Sequence, residues 1–599
     1  MAKDEIIDNI KNIYKRFIRI IFLAWIVSFF VVVILIRLFY IQIIKGDYYR
    51  KIADSNCVNI VKIRAPRGYI YDKNYKPLVI NKATYQLSII PYYFKKNQDI
   101  TKSMSEIARI IKVSPEEIME KLKESREYIL EPIVVKRNLN EQEISQLEEK
   151  AIEINGISIS QEPVRFYNYN SLASHIIGYT GEISLNQLKK DKDYYPGDIV
   201  GQTGVENFYD KELRGKDGVM YILTDAFGRQ KEIIKTIAPK QGNNLVLTID
   251  YNLQKYAEKI MDENNYSGVI IASNPKTGEI LCMVSKPDYD LNYFSGTIDI
   301  KEWKRLIRDK DNPLNNRVVQ GLYSPGSIFK IVVGSGGLNE KVIDTTTSFL
   351  CEGIYWIKTW PYKCWRRSGH GYVDFYRAIA ESCDIYFYKL GLKMKVELLY
   401  KYAVMFGLGE KTGIDLPGEK AGLVPTREWK RRIDRTPWFP GNTVMMSIGQ
   451  GYITATPLQI MNIMAVMANR GYAMQPFVVK AITSENRRII KLTEPKRLFD
   501  IKVSEEVINI MRNALRFVVQ SNRGTGTKAR IKGIISAGKT GTVENPHGET
   551  HAMFAGFAPF DNPEIVIFVL IEHGGSGGDV AAPVAGNIIE YYLRTKKQK

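Results

Sequence analysis

Apolar positions along the chain fall into three textures. The first is one unbroken run, Ile20 to Ile36 (IIFLAWIVSFFVVVILI), 17 residues without a charge and with one hydroxyl, Ser28. At ~1.5 Å per residue it covers ~25 Å, a little short of a ~30 Å hydrocarbon core. Leu38 to Ile44 extends the apolar face and Arg19 and Arg37 can snorkel, so the pattern predicts a membrane-spanning helix over 20–44. Lys11, Lys15, Arg16 and Arg19 crowd its N-terminal side. That bias predicts a cytoplasmic tail over 1–19 and an extracytoplasmic location for everything after about residue 45. A cleaved signal peptide is the alternative, but RLFYIQIIKG follows the run instead of a small-x-small cleavage site.

The second texture, residues 45–245, mixes short apolar strands such as YQLSII (85–90) with charged helical stretches such as Glu116 to Lys123. It carries few catalytic residue types and reads as an α+β pedestal. The segment 236–250 (TIAPKQGNNLVLTID) reads as a linker followed by a strand. The third texture begins at Ser267. SGVIIASNPKTGEILCMVS (267–285) predicts a β-hairpin, and HAMFAGFAPF and EIVIFVLIEH around Asp561-Asn562-Pro563 predict a second. Helical periodicity marks 328–340, 375–393, 456–469 and a terminal helix over about 582–595. Strands at both ends with helices between them imply one α/β domain, 246–599, whose sheet joins distant segments.

Composition changes this picture little. Of 599 residues 45% are hydrophobic and 25% charged, ordinary for a globular chain and unlike a disordered polymer or a multi-span transporter. Five cysteines exclude a disulfide-dense scaffold. The net charge of +19 favours anionic partners. Outside the membrane those are lipid headgroups and acidic wall polymers, not nucleic acid.

Three short motifs carry the chemistry. Ser327 precedes IFKIVVG and follows Tyr-Ser-Pro-Gly, which places it at a helix N-terminus where free N–H groups favour developing negative charge. Lys330 lies three residues on, and its amine shares a face with the hydroxyl. Burial among Ile328, Phe329 and Ile331 favours a neutral amine that could act as base. Ser382-Cys383-Asp384 supplies a second hydroxyl for proton relay and a carboxylate to orient the lysine. Lys539-Thr540-Gly541-Thr542 ends an apolar strand. Its cation and two hydroxyls suit a substrate carboxylate, and Gly541 lets a substrate backbone approach. The N–H groups of Thr542 and Ser327 could form an oxyanion hole. Each motif alone reads as a helix cap, a polar helix residue or a charged turn; the order of all three is what points to catalysis.

In that order SxxK, SxD and KTG resemble the penicillin-binding transpeptidases. RLFYIQIIKGDYY, RAPRGYIYDKN (64–74), GYTGEI (178–183) and GVENFYD (204–210) resemble the juxtamembrane and pedestal motifs of class B penicillin-binding proteins. LVLTIDYNLQ, NPKTGEILCMVSKPDYD and SIGQGYITATPLQ are similar to their transpeptidase domain, so the likeness covers nearly the whole chain. Asp384, where Asn is commoner, and the absence of PASTA repeats resemble the elongation-specific penicillin-binding protein 2 branch.

The resemblance implies a five-stranded antiparallel sheet flanked by helices, standing on the elongated pedestal. It implies that Ser327 attacks the penultimate D-Ala of a stem pentapeptide, expels the terminal D-Ala and passes the acyl group to an amine of a neighbouring stem. Lys330 is then the base, Ser382 the relay, and Lys539, Thr540 and Thr542 hold the carboxylate. β-Lactams would acylate the same serine. No cofactor is required for that chemistry. No Glu-Asp-x-x-Phe-type glycosyltransferase run occurs in 46–245, so chain polymerisation is expected from a SEDS-type membrane partner such as RodA, with other elongation-complex proteins. The alternatives are a division- or sporulation-type transpeptidase, a D,D-carboxypeptidase or β-lactamase, and a non-catalytic sensor or scaffold.

Three cysteines and a histidine cluster as Cys351-x12-Cys364-x5-His370-x12-Cys383. Three thiolates and an imidazole suit tetrahedral zinc, and some elongation-type relatives bind zinc in this part of the domain. A Cys351–Cys364 disulfide and buried free thiols are the other readings. Cys57 and Cys282 read as small buried hydrophobes, and His175, His547, His551 and His573 show no ligand spacing.

Overall fold

The computed structural model describes residues 2–47, 58–94, 99–124, 132–191, 193–224, 230–295, 300–545 and 548–597. Cys57 and His547 lie outside the described residues. A helix runs from Ala2 to Phe39 and ends in a π-turn over Tyr40–Ile44. No part of its apolar window is covered by protein, and its length and hydropathy suffice to cross a bilayer. The helix begins well before the apolar run, so the basic residues lie on its first turns.

The catalytic body is built on a five-stranded antiparallel sheet in the order Ile280–Lys286, Gly268–Ser273, Ile565–Ile571, His551–Ala558, Ala537–Val543. Its central strands are continuous apolar runs because both faces are covered. The period of two then sorts them. Val269, Ile271, Val566, Phe568 and Leu570 face the large helical core. Ile270, Ala272, Ile565, Ile567 and Val569 face a second core closed by helices Tyr251–Glu263 and Ala582–Lys597. Both expected hairpins and the terminal helix are present.

The stretch read as one helix over 375–393 is broken. It forms Phe375–Ala380 and Asp384–Met405, with Glu381 to Cys383 between them. Ser382 adopts φ +53°, a left-handed backbone that ends the first helix. No glycine or proline marks the break, because Ser382 itself takes the turn.

The pedestal is not a separate sheet. Strands Ile70–Tyr71, Pro77–Ile89, Ile133–Leu139 and Ile157–Tyr167 continue through Asn244–Leu247 into Val479–Thr483 and Ile489–Leu492 of the catalytic body. The expected boundary at 245/246 therefore falls inside a strand, whose Leu245 pairs with Ile70 on one side and Ile482 on the other. A second, three-stranded sheet (Val58–Ile63, Gly218–Thr224, Gln230–Ile237) stands nearest in sequence to the N-terminal helix. The RAPRG and GVENFYD segments meet in a buried ion cluster. Arg67 pairs with Glu206 and Asp210 at 2.8 Å each, and Arg165 with Glu206 at 2.6 Å. Burial works against the Arg67 charge, but the two carboxylates outweigh it and hold its pKa above the ordinary value.

Candidate active site

The sequence Pro325-Gly326-Ser327 makes the turn that positions the first candidate. Gly326 has φ +55°, and a Cβ there would lie 2.5 Å from Val543 Cγ2. Its N–H donates to the carbonyl of Gly449 at 2.9 Å, tying the turn to the SIGQG segment. A 3₁₀ turn over Gly326–Phe329 follows and runs into the helix Lys330–Asn339. Ser327 lies in the first turn, half-buried, while Ile328 and Phe329 are fully buried. The apolar residues after the serine thus anchor the turn and leave the hydroxyl at the groove.

Four further residues converge beside this turn. The Lys330 amine donates to Asp384 Oδ1 at 2.7 Å, to the Ser382 carbonyl at 2.9 Å and to Ser382 Oγ at 3.3 Å. Lys539 reaches the same hydroxyl from the opposite side, Nζ to Ser382 Oγ at 2.8 Å, and donates to its neighbour's carbonyl, Thr540 O, at 3.0 Å. Both lysines are fully buried. Ser382 Oγ therefore bridges two amines, which is the geometry of a proton relay. The left-handed backbone of Ser382 turns its carbonyl and its hydroxyl toward one amine.

The two lysines differ. Lys330 has the Asp384 carboxylate as a direct partner. Burial and the neighbouring Lys330 cation hold the Lys539 pKa well below the usual lysine range, against the weaker pull of Asp384. The sequence placed burial at Lys330; the structure adds the Asp384 carboxylate there. Asp384 is fixed in turn by the Trp365 N–H, which donates to Oδ2 at 2.9 Å.

The strand Ala537–Val543 carries the remaining candidates along one wall. Thr540 Oγ1 lies 2.6 Å from Thr525 Oγ1, and Thr542 Oγ1 accepts from Gly577 N at 3.2 Å. Thr542 is exposed and Thr540 buried. Gly541 faces Met553 across the strand pair, with only 3.1 Å between a hypothetical Cβ and Met553 Cβ. Thr525, Gly449 and Trp365 were not singled out from sequence. Gly449 lies in a quoted segment, whereas nothing local marks Thr525 or Trp365.

The cysteine cluster assembles one residue from Ser382. Cys351, Cys364, His370 and Cys383 are all buried, and their ligand atoms lie within 4.8 Å of one another. His370 Nδ1 is 3.4 Å from Cys351 Sγ and 3.6 Å from Cys364 Sγ. Tetrahedral zinc with Zn–S ~2.3 Å and Zn–N ~2.0 Å places S and N ~3.5 Å apart, so these residues fit the ion. The three thiols are free, as is Cys282, which packs in the second core. The Cys351–Cys364 disulfide is not formed.

Comparison with known proteins gives the family. Residues 268–590 match the penicillin-binding protein transpeptidase domain, and residues 62–247 match the penicillin-binding protein dimerisation domain. The chain belongs to the class B penicillin-binding proteins, transpeptidases that carry both domains. Within that class it is similar to the peptidoglycan D,D-transpeptidase MrdA of Acinetobacter baumannii, with 33% identity covering 98% of this chain and 89% of that relative. Among solved structures it is similar to penicillin-binding protein PBP2 of Helicobacter pylori in complex with MreC. That match has a TM-score of 0.77 and 30% identity and covers 90% of this chain and all of that one. It is also similar to a chain from a peptidoglycan synthase complex described as coordinating polymerisation and crosslinking, with a TM-score of 0.69 and 28% identity over 96% of this chain and 98% of that one.

Proposed function

We propose that this protein is a membrane-anchored peptidoglycan D,D-transpeptidase that crosslinks stem peptides during cell elongation. The observation that carries the reading is the convergence of Lys330, Ser382, Asp384 and Lys539 beside the Ser327 turn. Lys330 first yields a proton through the bridging Ser382 Oγ to the Lys539 amine; Ser327 Oγ then attacks the carbonyl of the penultimate D-Ala and its proton passes to the Lys330 amine so freed. The Ser327 and Thr542 N–H groups receive the oxyanion. Ser382, bridged between both amines, returns a proton to the departing D-Ala amine. An acceptor amine then takes the acyl group and Ser327 is regenerated. Lys539, Thr540 and Thr542 hold the substrate carboxylate, and the missing Cβ of Gly541 lets the strand pack against Met553 and Ile328.

The N-terminal helix anchors the chain with its basic end in the cytoplasm and the catalytic body outside. Similarity to MrdA and to a PBP2 in complex with MreC supports the elongation role and elongation-complex partners. Similarity to a synthase complex supports a SEDS-type, RodA-like polymerase as the partner at the helix and pedestal. Incubation with a fluorescent penicillin tests the chemistry. A long-lived, stoichiometric adduct on the peptide containing Ser327, absent in Ser327→Ala, is expected. Rapid turnover of the drug would assign the protein to the β-lactamases.

Cys351, Cys364, His370 and Cys383 would hold a structural zinc, bracing the 351–383 segment against the helix that begins at Asp384. Such an ion would supply no chemistry to acyl transfer; the four residues would, through it, fix the segment on which Ser382 and Trp365 sit. Elemental analysis of protein purified without chelator is expected to give one zinc per chain. Less than a tenth of that would leave the four residues as buried thiols and an imidazole.

A further inference from the structure

A cluster of guanidiniums lies one residue from Ser382, outside the set that handles the acyl group. Glu381, whose side chain is 5% exposed, is engaged on both oxygens by Arg377, Nε to Oε1 at 2.8 Å and Nη2 to Oε2 at 3.4 Å. Arg377 also donates to the carbonyls of Tyr372 and His370. Two more guanidiniums converge on the same carboxylate from separate segments. Arg366 Nη1 stands 3.9 Å from Oε2 and Arg523 Nη1 4.0 Å from Oε1, both beyond hydrogen-bond reach. Their side chains are 51% and 71% exposed. With Asp374, which caps the helix of Arg377, three cations face two carboxylates. Arg377 is committed to the protein; Arg366 and Arg523 keep their donors turned to solvent and leave a positive charge in excess.

The loop that carries Arg523 relates the pair to the groove. The Thr525 N–H donates to the Ala380 carbonyl at 3.1 Å, and Thr525 Oγ1 lies 2.6 Å from Thr540 Oγ1. The loop thus ties the break before Ser382 to the strand of Lys539 and Thr540. On the transpeptidase reading Ser327 marks the acyl carbon and Thr540 the terminal carboxylate. Arg523, two residues from Thr525, then stands on the leaving-group side. Aminolysis of the acyl-enzyme retraces its formation, so the attacking amine occupies the place that the D-Ala amine left. Whatever is bonded to the acceptor amine is brought to that same side. Stem peptides carry carboxylates within the chain, and a pair of arginines matches a carboxylate in charge and in donor geometry.

We propose that Arg366 and Arg523 form a subsite for an internal carboxylate of the acceptor stem peptide. The proposal rests on the transpeptidase reading and deepens it. Its test uses the full-length protein in detergent, acylated by one stem-peptide thioester. Two acceptor stems are supplied that differ only in a free or an amidated glutamyl carboxylate. The readout is the ratio of crosslinked to hydrolysed product, which does not depend on the acylation rate. In the parent this ratio is expected to be about tenfold higher for the acid than for the amide at low salt. Arg366→Gln/Arg523→Gln should bring the two acceptors to about the same ratio.

A second measurement needs no variant. The preference of the parent for the acid should fall several-fold as ionic strength rises from ~0.1 M to ~1 M and the screening length shortens from ~10 Å to ~3 Å. A parent without preference, or a preference that survives the two substitutions or the salt, overturns the subsite. Failure of the transpeptidase reading shows differently. It appears as a parent that the thioester does not acylate, or as an acyl-enzyme that yields hydrolysed product alone with either acceptor, and the subsite falls with it.

Discussion

The pedestal and the catalytic body each bury a cluster of ionic side chains, and they balance them differently. In the pedestal two guanidiniums, Arg67 and Arg165, meet two carboxylates, Glu206 and Asp210. Tyr194 and the Gly201 N–H complete the shell of Asp210 at 2.6 and 2.7 Å. Charges cancel, and Arg165 Nη2 is the guanidinium nitrogen left without a partner. In the catalytic body two ammonium groups share one carboxylate, and one serine hydroxyl stands between them. A neutral cluster of charge-assisted hydrogen bonds fixes backbone segments that are far apart in sequence. A cluster one negative charge short cannot keep both amines protonated with equal ease, so a proton there is poised to move. The first arrangement builds; the second reacts.

The largest effect that would sharpen this contrast comes from the catalytic side. Lys330→Met removes the amine that would take the Ser327 proton. Acylation by a fluorescent penicillin should then slow by about 10²–10⁴-fold, the usual contribution of a positioned acid–base group. The thermal midpoint should move less than in Glu206→Gln, because the Lys539 amine, which Asp384 attracts and Lys330 no longer repels, can supply the countercharge that Asp384 loses. Acylation within a few-fold of the parent would break the contrast. Glu206→Gln is its mirror image. It leaves two buried guanidiniums short of a counter-charge and should cost about 3–5 kcal/mol in urea unfolding. The acylation rate constant of the folded protein should not change. A cost below ~1 kcal/mol would mean that the pedestal cluster is not a structural clamp.

A smaller effect comes from Glu258, a buried carboxylate with no direct cation. It accepts from the Ala173 N–H and the Gln254 amide, both at 2.8 Å. Burial pushes its pKa up to about 7. The native state therefore binds the proton more tightly than the unfolded chain. Stability from this group is full below the unfolded value and declines as pH rises from about 4.5 to about 7. Glu258→Gln should flatten that part of the profile and stabilise the protein at pH 8 by up to ~3 kcal/mol, read from urea midpoints at several pH values. His175, buried two residues from the Ala173 whose N–H donates to Glu258 and with its pKa held down to about 4 by burial, gives a slope of the opposite sign that the variant leaves in place. An unaltered profile in Glu258→Gln would remove Glu258 from the uncompensated group.

Much of this was legible in the sequence because it is local. An uncharged run of 17 residues reads as a span whatever follows it. The SxxK turn is written by Pro325-Gly326 before it and an apolar helix after it. The cysteine and histidine spacing announced the cluster that the fold closes. What stayed hidden depends on tertiary contact. Helical periodicity continues through Ser382, so the break that aims its carbonyl and hydroxyl at Lys330 had no signal. Burial of Lys539 beside the Lys330 amine, which holds its pKa down, depends on contact between distant segments that no spacing reveals. Arg165 looks like any charge on a strand until Glu206 is brought to it from another segment. The hairpin of Ile354–Ile357 and Trp360–Lys363 turns at Lys358, with φ +53°, and lacks the Asn-Gly or Asp-Gly pair that would have marked it.

The sheet that runs from the pedestal strands through Asn244–Leu247 into Val479–Thr483 bears on mechanics. A hydrogen-bonded ribbon shared by both bodies transmits torque, whereas a polypeptide tether would absorb it. Tyr209 reinforces the joint, its hydroxyl donating at 2.8 Å to Asp415, which accepts the N–H groups of Val478 and Val479 at 2.7 and 2.9 Å. A push on the membrane-proximal end is thereby carried as a tilt of the whole upper lobe. Cutting the chain at this seam would not release an independent catalytic unit; it would strip one edge of Val479–Thr483 and leave an open strand ready to pair with another molecule.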